Sequence, residues 1–463
     1  MMTPSPFRHA MFGERIGVAR VDITPPVGIY CRNWGAGNQT IAKGIHRPLT
    51  LTAMAIFASD QNSDPLVLVD ADLGWWRGLN VWDRFQSGIL DRLGLEPARF
   101  LFALAHTHSA PPLTDPDPTW PGSDLLAAYQ QRVYEATIDA IQKATATAMN
   151  ATMTWHTGRC ALAADRDLPD PAPKQDRWLC GFNPGIAADD TLLVGRVSDP
   201  AGRIIATIVN YACHPTTLAW QCDQASPDYV GAMRQTVEDA TGAAPALFLQ
   251  GASGELSPRN GYTGDLAVAD RNGRQLGHAV LAVLADMEAP RMQLAFDCAV
   301  ESGAPLGVWR SEPVTAPTAM QAMMATVDLE LKSWPSADEL QSQWEMCEDR
   351  ALAERLHRKL TIRRILGDEG HFPVPVYAWR LGDVLLVGSM CESYSCLQQD
   401  LRRQFSDQAV VCMNLINGSI GYLPPSRMYA RNLYQVSQTP FACGCLEAMR
   451  DTMERQITSL LSA

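Results

Sequence analysis

The stretch Arg99-Phe-Leu-Phe-Ala-Leu-Ala-His106-Thr-His108-Ser-Ala-Pro-Pro112 is an apolar run that ends in two histidines and two prolines. The run predicts a buried β-strand that stops at the prolines, because proline cannot donate to a sheet ladder. Two residues apart on one strand, His106 and His108 would share a face, with Cβ atoms about 7 Å apart. The stretch alone is compatible with two imidazoles directed to one site and with two histidines hydrogen-bonded in a core.

The remaining chain predicts alternating strands and helices. Apolar alternation predicts strands at 16–25, 49–58, 65–73, 153–160, 245–249, 292–301 and 410–415, and hairpins within 192–211 and 374–387. Helical periodicity predicts helices at 80–93, 123–148, 227–240 and 265–287, and a helical pair over 316–366. Since no linker is evident, we expect one domain over residues 1–463, an α/β fold of mixed β-sheets flanked by helices.

Two features near the histidine stretch have open interpretations. Asp70 and Asp72, at the end of the strand predicted at 65–73, either orient a ligating histidine or cap the next helix. The proline-rich segment 111–122 is too irregular for a regular element and predicts a lid over the site.

Composition excludes several classes of protein. The chain has 463 residues, of which 46% are hydrophobic and 19% charged, and its net charge of −12 argues against a nucleic-acid partner. No stretch reaches the roughly 20 apolar residues of a membrane span, and the N-terminus lacks the apolar core of a signal peptide. We therefore expect a cytoplasmic protein with reduced cysteines. The sequence does not indicate its oligomeric state.

Metal-competent side chains recur at predicted strand ends. His214 follows an apolar strand and precedes Pro215, and Glu392 follows the second strand of the later hairpin. With His106 and His108 they form a set that suits zinc with an open position for water. Ser257 lies in the turn 251–258, either as a nucleophile or, as we favour, as a hydrogen-bonding turn residue. The Gly-x-Ser-x-Gly pattern around Ser253 fails because position 255 is Glu.

Five motifs together resemble those of the neutral (alkaline, non-lysosomal) ceramidase family, and the resemblance covers almost the whole chain. In order, they are Ala-His-Thr-His-Ser-Ala-Pro at 105–111, Asn-Tyr-Ala-Cys-His-Pro-Thr at 210–216, Gly-Ala-Ser-Gly-Glu-Leu-Ser-Pro at 251–258, Cys-Glu at 391–392, and the segment from Gly421-Tyr422 to Tyr434. The resemblance implies that family's catalytic domain, without its secretion signal and its C-terminal β-sandwich domain.

The same resemblance implies functional residues. It assigns the zinc ligands to His106, His214, Glu392 and Tyr422, and it places His108, Arg166 and Tyr434 beside the metal. Ser257 corresponds to the serine of the family hexapeptide Gly-Asp-Val-Ser-Pro-Asn. In this chain, position 255 is Glu in place of Asp and position 259 is Arg in place of Asn.

The expected function is zinc-dependent hydrolysis of an N-acyl amide, with a small molecule or a lipid as substrate. The hexapeptide differences and the tryptophans Trp34, Trp75, Trp76 and Trp120 direct the expectation to a smaller N-acylated compound, with weak activity on long-chain ceramide. His108 or a tyrosine would deliver the proton to the leaving amine. The alternatives are a serine hydrolase that uses Ser257, and a non-catalytic member that binds a lipid or a metal. The predicted hairpins argue against an amidohydrolase barrel.

Overall fold

The computed structural model describes residues 4–58, 64–172, 177–367 and 370–462. The helices are α1 (Leu79–Leu93), α2 (Leu126–Ala146), α3 (Tyr229–Ala240), α4 (Leu266–Asp286), α5 (Ala337–Glu345), α6 (Arg350–Leu366), α7 (Cys396–Gln404), α8 (Tyr434–Gln438) and α9 (Cys445–Ser462). Among the described residues, none of these helices combines the length and the apolar character needed to cross a bilayer.

The strands are β1 (Ala10–Asp22), β2 (Gly44–Ile45), β3 (Thr50–Phe57), β4 (Leu66–Ala71), β5 (Phe100–Leu104), β6 (Met149–Arg159), β7 (Ala163–Asp165), β8 (Asp167–Pro169), β9 (Trp178–Cys180), β10 (Thr191–Ser198), β11 (Ile204–Tyr211), β12 (Gln224–Ala225), β13 (Ala246–Gln250), β14 (Leu256–Pro258), β15 (Met292–Glu301), β16 (Pro305–Pro313), β17 (Met320–Glu330), β18 (His371–Leu381), β19 (Val384–Ser389), β20 (Cys391–Ser393), β21 (Ala409–Met413) and β22 (Gly421–Leu423).

Two mixed sheets form the centre of the fold, as the sequence predicted. The larger sheet has the strand order β13-β11-β10-β6-β1-β3-β4-β5, and the smaller has the order β17-β18-β19-β21. The pairs β4/β5, β11/β13 and β19/β21 are parallel, and the other pairs in these sheets are antiparallel.

Alternating side chains divide these sheets between separate cores. Phe12 and Trp155 of the larger sheet and Trp379 of the smaller sheet are buried in one cluster, so the two sheets pack face to face. The opposite faces pack on helices: α1, α2, α3 and α4 cover the larger sheet, and α7 and α9 cover the smaller one. The result is a four-layer arrangement of helices, sheet, sheet and helices.

The larger sheet curves so that its two ends approach each other. The Phe248 amide, on the edge strand β13, donates to the Asp70 carboxylate on β4 at 2.9 Å. The strand β5, which pairs with β4, precedes His106, and β11, which pairs with β13, precedes His214. Curvature therefore brings together two histidines that lie at opposite ends of the strand order.

The prediction of helices throughout 316–366 is wrong in its first part. Residues 320–330 form β17, which pairs with β18, and 305–313 form β16, which the sequence analysis missed. β17 is rich in Met and Ala, which favour helices, and only Val327 and Leu329 of its residues are buried. Pairing with β18 overrides this local preference. The helical part of the prediction corresponds to α5 and α6.

Candidate metal centre and active-site pocket

His106 does not lie on the strand that precedes it. β5 ends at Leu104, and His106 has a φ of 68°, in the left-handed region that non-glycine residues seldom occupy. Its amide donates to the Leu73 carbonyl at 2.9 Å, and its Nδ1 lies 3.2 Å from the Gly74 carbonyl oxygen. The expected strand geometry is thus wrong, and a strained turn orients the imidazole. Such backbone strain costs about 1–3 kcal/mol and is typical of functional sites.

His214 is held by the chain around the turn at 253–256. Its amide donates to the Leu256 carbonyl at 3.0 Å, and its Nδ1 lies 2.7 Å from the Ser253 carbonyl oxygen. Because a carbonyl can only accept, Nδ1 carries the proton in both His106 and His214. With the proton on Nδ1, the Nε2 lone pair of each ring faces the site.

Glu392 completes a buried cluster with these two rings. Its Oε2 lies 2.9 Å from His214 Nε2 and 3.3 Å from His106 Nε2. One ligand atom from each of the three residues can be chosen so that all lie within 4.8 Å of one another. Two Nε2 atoms without a hydrogen and a carboxylate oxygen are all acceptors, and a shared cation would satisfy all three. Two nitrogens and one oxygen suit zinc.

The electrostatics keep these groups in the forms that bind a metal. Burial, followed by the nearby Arg166, lowers the pKa of His214 to about 3, so the ring is neutral. Burial would raise the pKa of Glu392, but the adjacent His106 and His214 rings hold it well below its ordinary value. At neutral pH, His214 is therefore uncharged and Glu392 is ionised.

Tyr422 and Arg166 adjoin this cluster. The parallel pair β20/β22 places Tyr422 directly opposite Glu392, and the Tyr422 ring stacks on His214 with ring centroids 6.3 Å apart. Arg166 is buried; its Nη2 donates to the Gly254 carbonyl at 2.7 Å and lies 3.4 Å from the Tyr422 hydroxyl. The same Nη2 lies 3.3 Å from His214 Nε2. The structure therefore brings both predicted residues to the cluster.

His108 lies beside the cluster with both ring nitrogens free. Its ring centroid is 5.0 Å from that of His106, and the rings of Trp75 and Trp34 lie 4.8 and 5.1 Å away. Neither Nδ1 nor Nε2 has a hydrogen-bond partner among the described residues, although both are buried. Burial, with His106 close by, lowers the pKa of His108 well below its ordinary value. A neutral imidazole with no protein partner is available to a bound molecule.

Tyr434 is the outermost of the predicted site residues. Its ring lies 5.9 Å from the Tyr422 ring, and its hydroxyl accepts a hydrogen bond of 3.0 Å from Arg358 Nη1. The hydroxyl proton is therefore directed away from Arg358 and can be donated to another group. Sequence analysis missed Arg358 because α6 carries no recognisable motif.

Ser257 directly follows Leu256, whose carbonyl accepts from the His214 amide. It is buried in β14, where it pairs with Ala164 of β7, and it is not among the described residues that line the pocket. The neighbouring Glu255 accepts from the Ser395 amide at 2.9 Å, and its carbonyl accepts from the Arg166 amide at 2.8 Å. Burial raises the pKa of Glu255 to about 8. This segment positions the backbone of Arg166.

The cluster lies in a pocket of about 500 Å³. All four tryptophans named from the sequence line it, together with Trp220. The proline-rich segment predicted as a lid contributes Thr114 and Trp120 to the wall, and Trp120 stacks on Tyr30 at 4.8 Å. The opposite wall includes residues of α6 that the sequence analysis did not foresee, among them Arg355 and Arg358.

The fold and this cluster define an α/β protein with the architecture of a neutral ceramidase. The chain matches the crystal structure of neutral ceramidase from Pseudomonas aeruginosa with a TM-score of 0.68 and 18% identity, over 96% of this chain and 73% of that chain. It also matches a ceramidase complexed with C2, with a TM-score of 0.66 and 15% identity, over 97% of this chain and 76% of that chain. No family model and no curated protein matches the sequence. The resemblance predicted from five motifs is therefore confirmed as a likeness of fold.

Proposed function

We propose that this protein is a zinc-dependent hydrolase of N-acyl amides. The observation that carries the proposal is the convergence of two buried Nε2 atoms and a carboxylate oxygen within 4.8 Å in an aromatic pocket. The ligands would be His106, His214 and Glu392, with Tyr422 as the fourth. Zinc bound there supplies a Lewis acid and lowers the pKa of water to about 7.

The residues around the cluster fit the hydrolysis of an amide. Hydrolysis breaks the C–N bond, the oxygen of water joins the acyl carbon, and a water proton ends on the departing amine. Negative charge develops on the carbonyl oxygen, and a donor aimed at that oxygen contributes about 3 kcal/mol. Among the donors that line this pocket, we assign this role to the His108 N–H and the Arg166 guanidinium.

Proton delivery to the amine is the second requirement. We assign it to the Tyr434 hydroxyl, because Arg358 occupies its acceptor side and leaves its proton free to donate. His108 would then bind the carbonyl oxygen, and Tyr434 would protonate the departing amine.

The pocket volume favours a substrate of moderate size. About 500 Å³ lies within the range of pockets that bind drug-sized ligands. We therefore retain the expectation of a smaller N-acyl compound over long-chain ceramide.

The serine hydrolase alternative has less support. No histidine nitrogen is hydrogen-bonded to Ser257 among the described residues, so the serine lacks the base that would activate it. The non-catalytic alternative also has less support, because it gives no role to the two buried ring nitrogens of His108 that have no partner among the described residues.

The test is hydrolysis of N-acyl ethanolamines of increasing acyl length by protein that has been chelated and then supplied with zinc. We expect activity that chelation abolishes, that zinc restores and that His214→Ala loses. Activity should pass through a maximum at medium length. A steady rise of activity with acyl length, at about 0.8 kcal/mol per buried methylene, would instead favour long-chain ceramide as the substrate. Full activity after chelation would reject the metal mechanism.

A further inference from the structure

The pocket is positively charged in an acidic protein. The chain has a net charge of −12, yet the described residues that line the pocket include no Lys or Asp. They include two glutamates, Glu354 and Glu392, and four arginines: Arg77, Arg166, Arg355 and Arg358. Zinc at the cluster would add further positive charge. Because a low-dielectric cleft focuses its field, this pocket favours an anionic ligand.

Three of these arginines already donate to groups of the protein, and Arg166 is in addition assigned to the carbonyl oxygen of the substrate. Arg166 donates to the Gly254 carbonyl, and Arg77 Nη2 donates to the Arg32 carbonyl at 2.7 Å. Arg358 Nε donates to Glu354 at 3.2 Å. Burial would raise the pKa of Glu354, but Arg358 and the other nearby arginines hold it below its ordinary value. Glu354 therefore stays ionised and neutralises Arg358.

Arg355 is the arginine that remains available. Its guanidinium lies over the Tyr434 ring, 5.8 Å from the centroid, and the side chain is exposed. It forms no ion pair among the described residues. A guanidinium presents paired donors that match a carboxylate, so this position suits the anionic group of a ligand.

The position of Arg355 indicates on which side of a bound amide the positive charge would lie. Tyr434 separates Arg355 from Tyr422, which stacks on His214. Two tryptophans of the pocket, Trp34 and Trp75, contact the ring of His108. An amide held at the cluster would have aromatic contacts on its His108 side and a cation on its Tyr434 side.

We propose that the substrate is an anionic N-acyl amide, with an apolar group among the tryptophans and a carboxylate bound by Arg355. This inference rests on the proposed hydrolase function. Because Tyr434 is assigned as proton donor to the amine, the anion belongs to the amine half, so the substrate class is that of N-acyl amino acids.

Binding can be tested without turnover. The probes are the ketone in which a methylene replaces the amide nitrogen of N-octanoylglycine, and the matched neutral ketone with a hydroxymethyl group in place of the carboxylate. By calorimetry on the zinc-loaded protein, we expect the anionic ketone to bind about tenfold more tightly. Arg355→Gln should abolish this preference, and Arg355→Lys should retain part of it.

Arg364→Gln is the matched control, because Arg364 is an exposed arginine of the same helix that bonds Gln341 and is not among the described pocket residues. Its anion preference should equal that of the wild type. Equal binding of both ketones by the wild type, or equal loss in Arg355→Gln and Arg364→Gln, would overturn the proposal.

Kinetics then separate the two proposals and locate the anion. We expect N-octanoylglycine to be hydrolysed with a higher kcat/KM than N-octanoylethanolamine, and N-octylsuccinamate, whose carboxylate is in the acyl half, to be a poor substrate. A preference for N-octylsuccinamate would overturn the amino-acid assignment. Anion-selective binding without hydrolysis of any amide would reject the hydrolase function but not the role of Arg355, whereas hydrolysis without anion preference would reject only that role.

Discussion

Two buried clusters of ionisable side chains join the two ends of the curved sheet, and they differ in how their polar groups are occupied. In one, Arg234 of α3 is hydrogen-bonded to both Asp70 and Asp72, and Asp72 also accepts from the Thr50 amide. In the other, His106 and Glu392 line a pocket, and the buried His214 contacts Glu392. In the Arg234 cluster, each carboxylate is paired with an oppositely charged group of the protein. In the cluster of His106, His214 and Glu392, three hydrogen-bond acceptors face one another.

This contrast separates buried charges that stabilise the fold from buried charges that are available to bind a ligand. Arg234 also donates to the Ala246 carbonyl of β13 at 2.9 Å, so it ties β13 to β4 where the sheet ends meet. Asp70 and Asp72 therefore neither orient a ligating histidine nor cap a helix, and both expectations are wrong. Their partner lies more than 150 residues away in sequence, and no local pattern identifies it.

The largest effect on stability should come from the Arg234 cluster. Arg234→Met leaves two buried carboxylates without their cation, and we expect the free energy of unfolding to fall by about 3–5 kcal/mol, measured by urea denaturation. Arg203→Met is the matched control, because Arg203 pairs with Asp199 while its side chain is 81% exposed; it should lose at most about 1 kcal/mol. Equal losses would contradict the claim that the Arg234 cluster stabilises the fold more than an exposed ion pair does.

His108→Ala should act on activity alone. Removal of a donor to the developing oxyanion costs about 3 kcal/mol, or about a hundredfold in kcat. The free energy of unfolding should stay nearly unchanged, since neither ring nitrogen has a partner among the described residues. The measurements are kcat on an N-acyl amide and urea denaturation of the same preparation. A large loss of stability with normal kcat would make His108 a core residue.

Ser257→Ala should have the smallest effect. We expect kcat to change less than about threefold, because Ser257 lies in the β14 ladder and no histidine of the described residues is hydrogen-bonded to it. The check is kcat together with mass spectrometry of protein mixed with substrate. An acyl group trapped on Ser257, or a loss of about a millionfold as in serine hydrolases, would establish the serine mechanism.

The sequence predicted which residues meet but not how they meet. His106, His214 and Glu392 were identified because each follows an apolar strand, and Tyr422 by resemblance. The turn at His106 was not predicted, because a left-handed φ leaves no pattern at a histidine. The pocket wall formed by α6 was not predicted either. Arg355 and Arg358 are recognisable as pocket residues only by their contacts with Tyr434, and these tertiary contacts leave no pattern in the sequence. That the chain forms one domain stays a prediction.

Metal content is the most direct test of zinc binding by His106, His214 and Glu392. Purified protein is freed of metal with a chelator, reconstituted with zinc, desalted and analysed by mass spectrometry for zinc per chain, beside His214→Ala and His156→Ala. His156 is the control, because it bonds Asp286 away from the pocket. The account predicts one zinc per chain in the wild type and in His156→Ala, and almost none in His214→Ala. A value near zero in the wild type, or an undiminished value in His214→Ala, would contradict it.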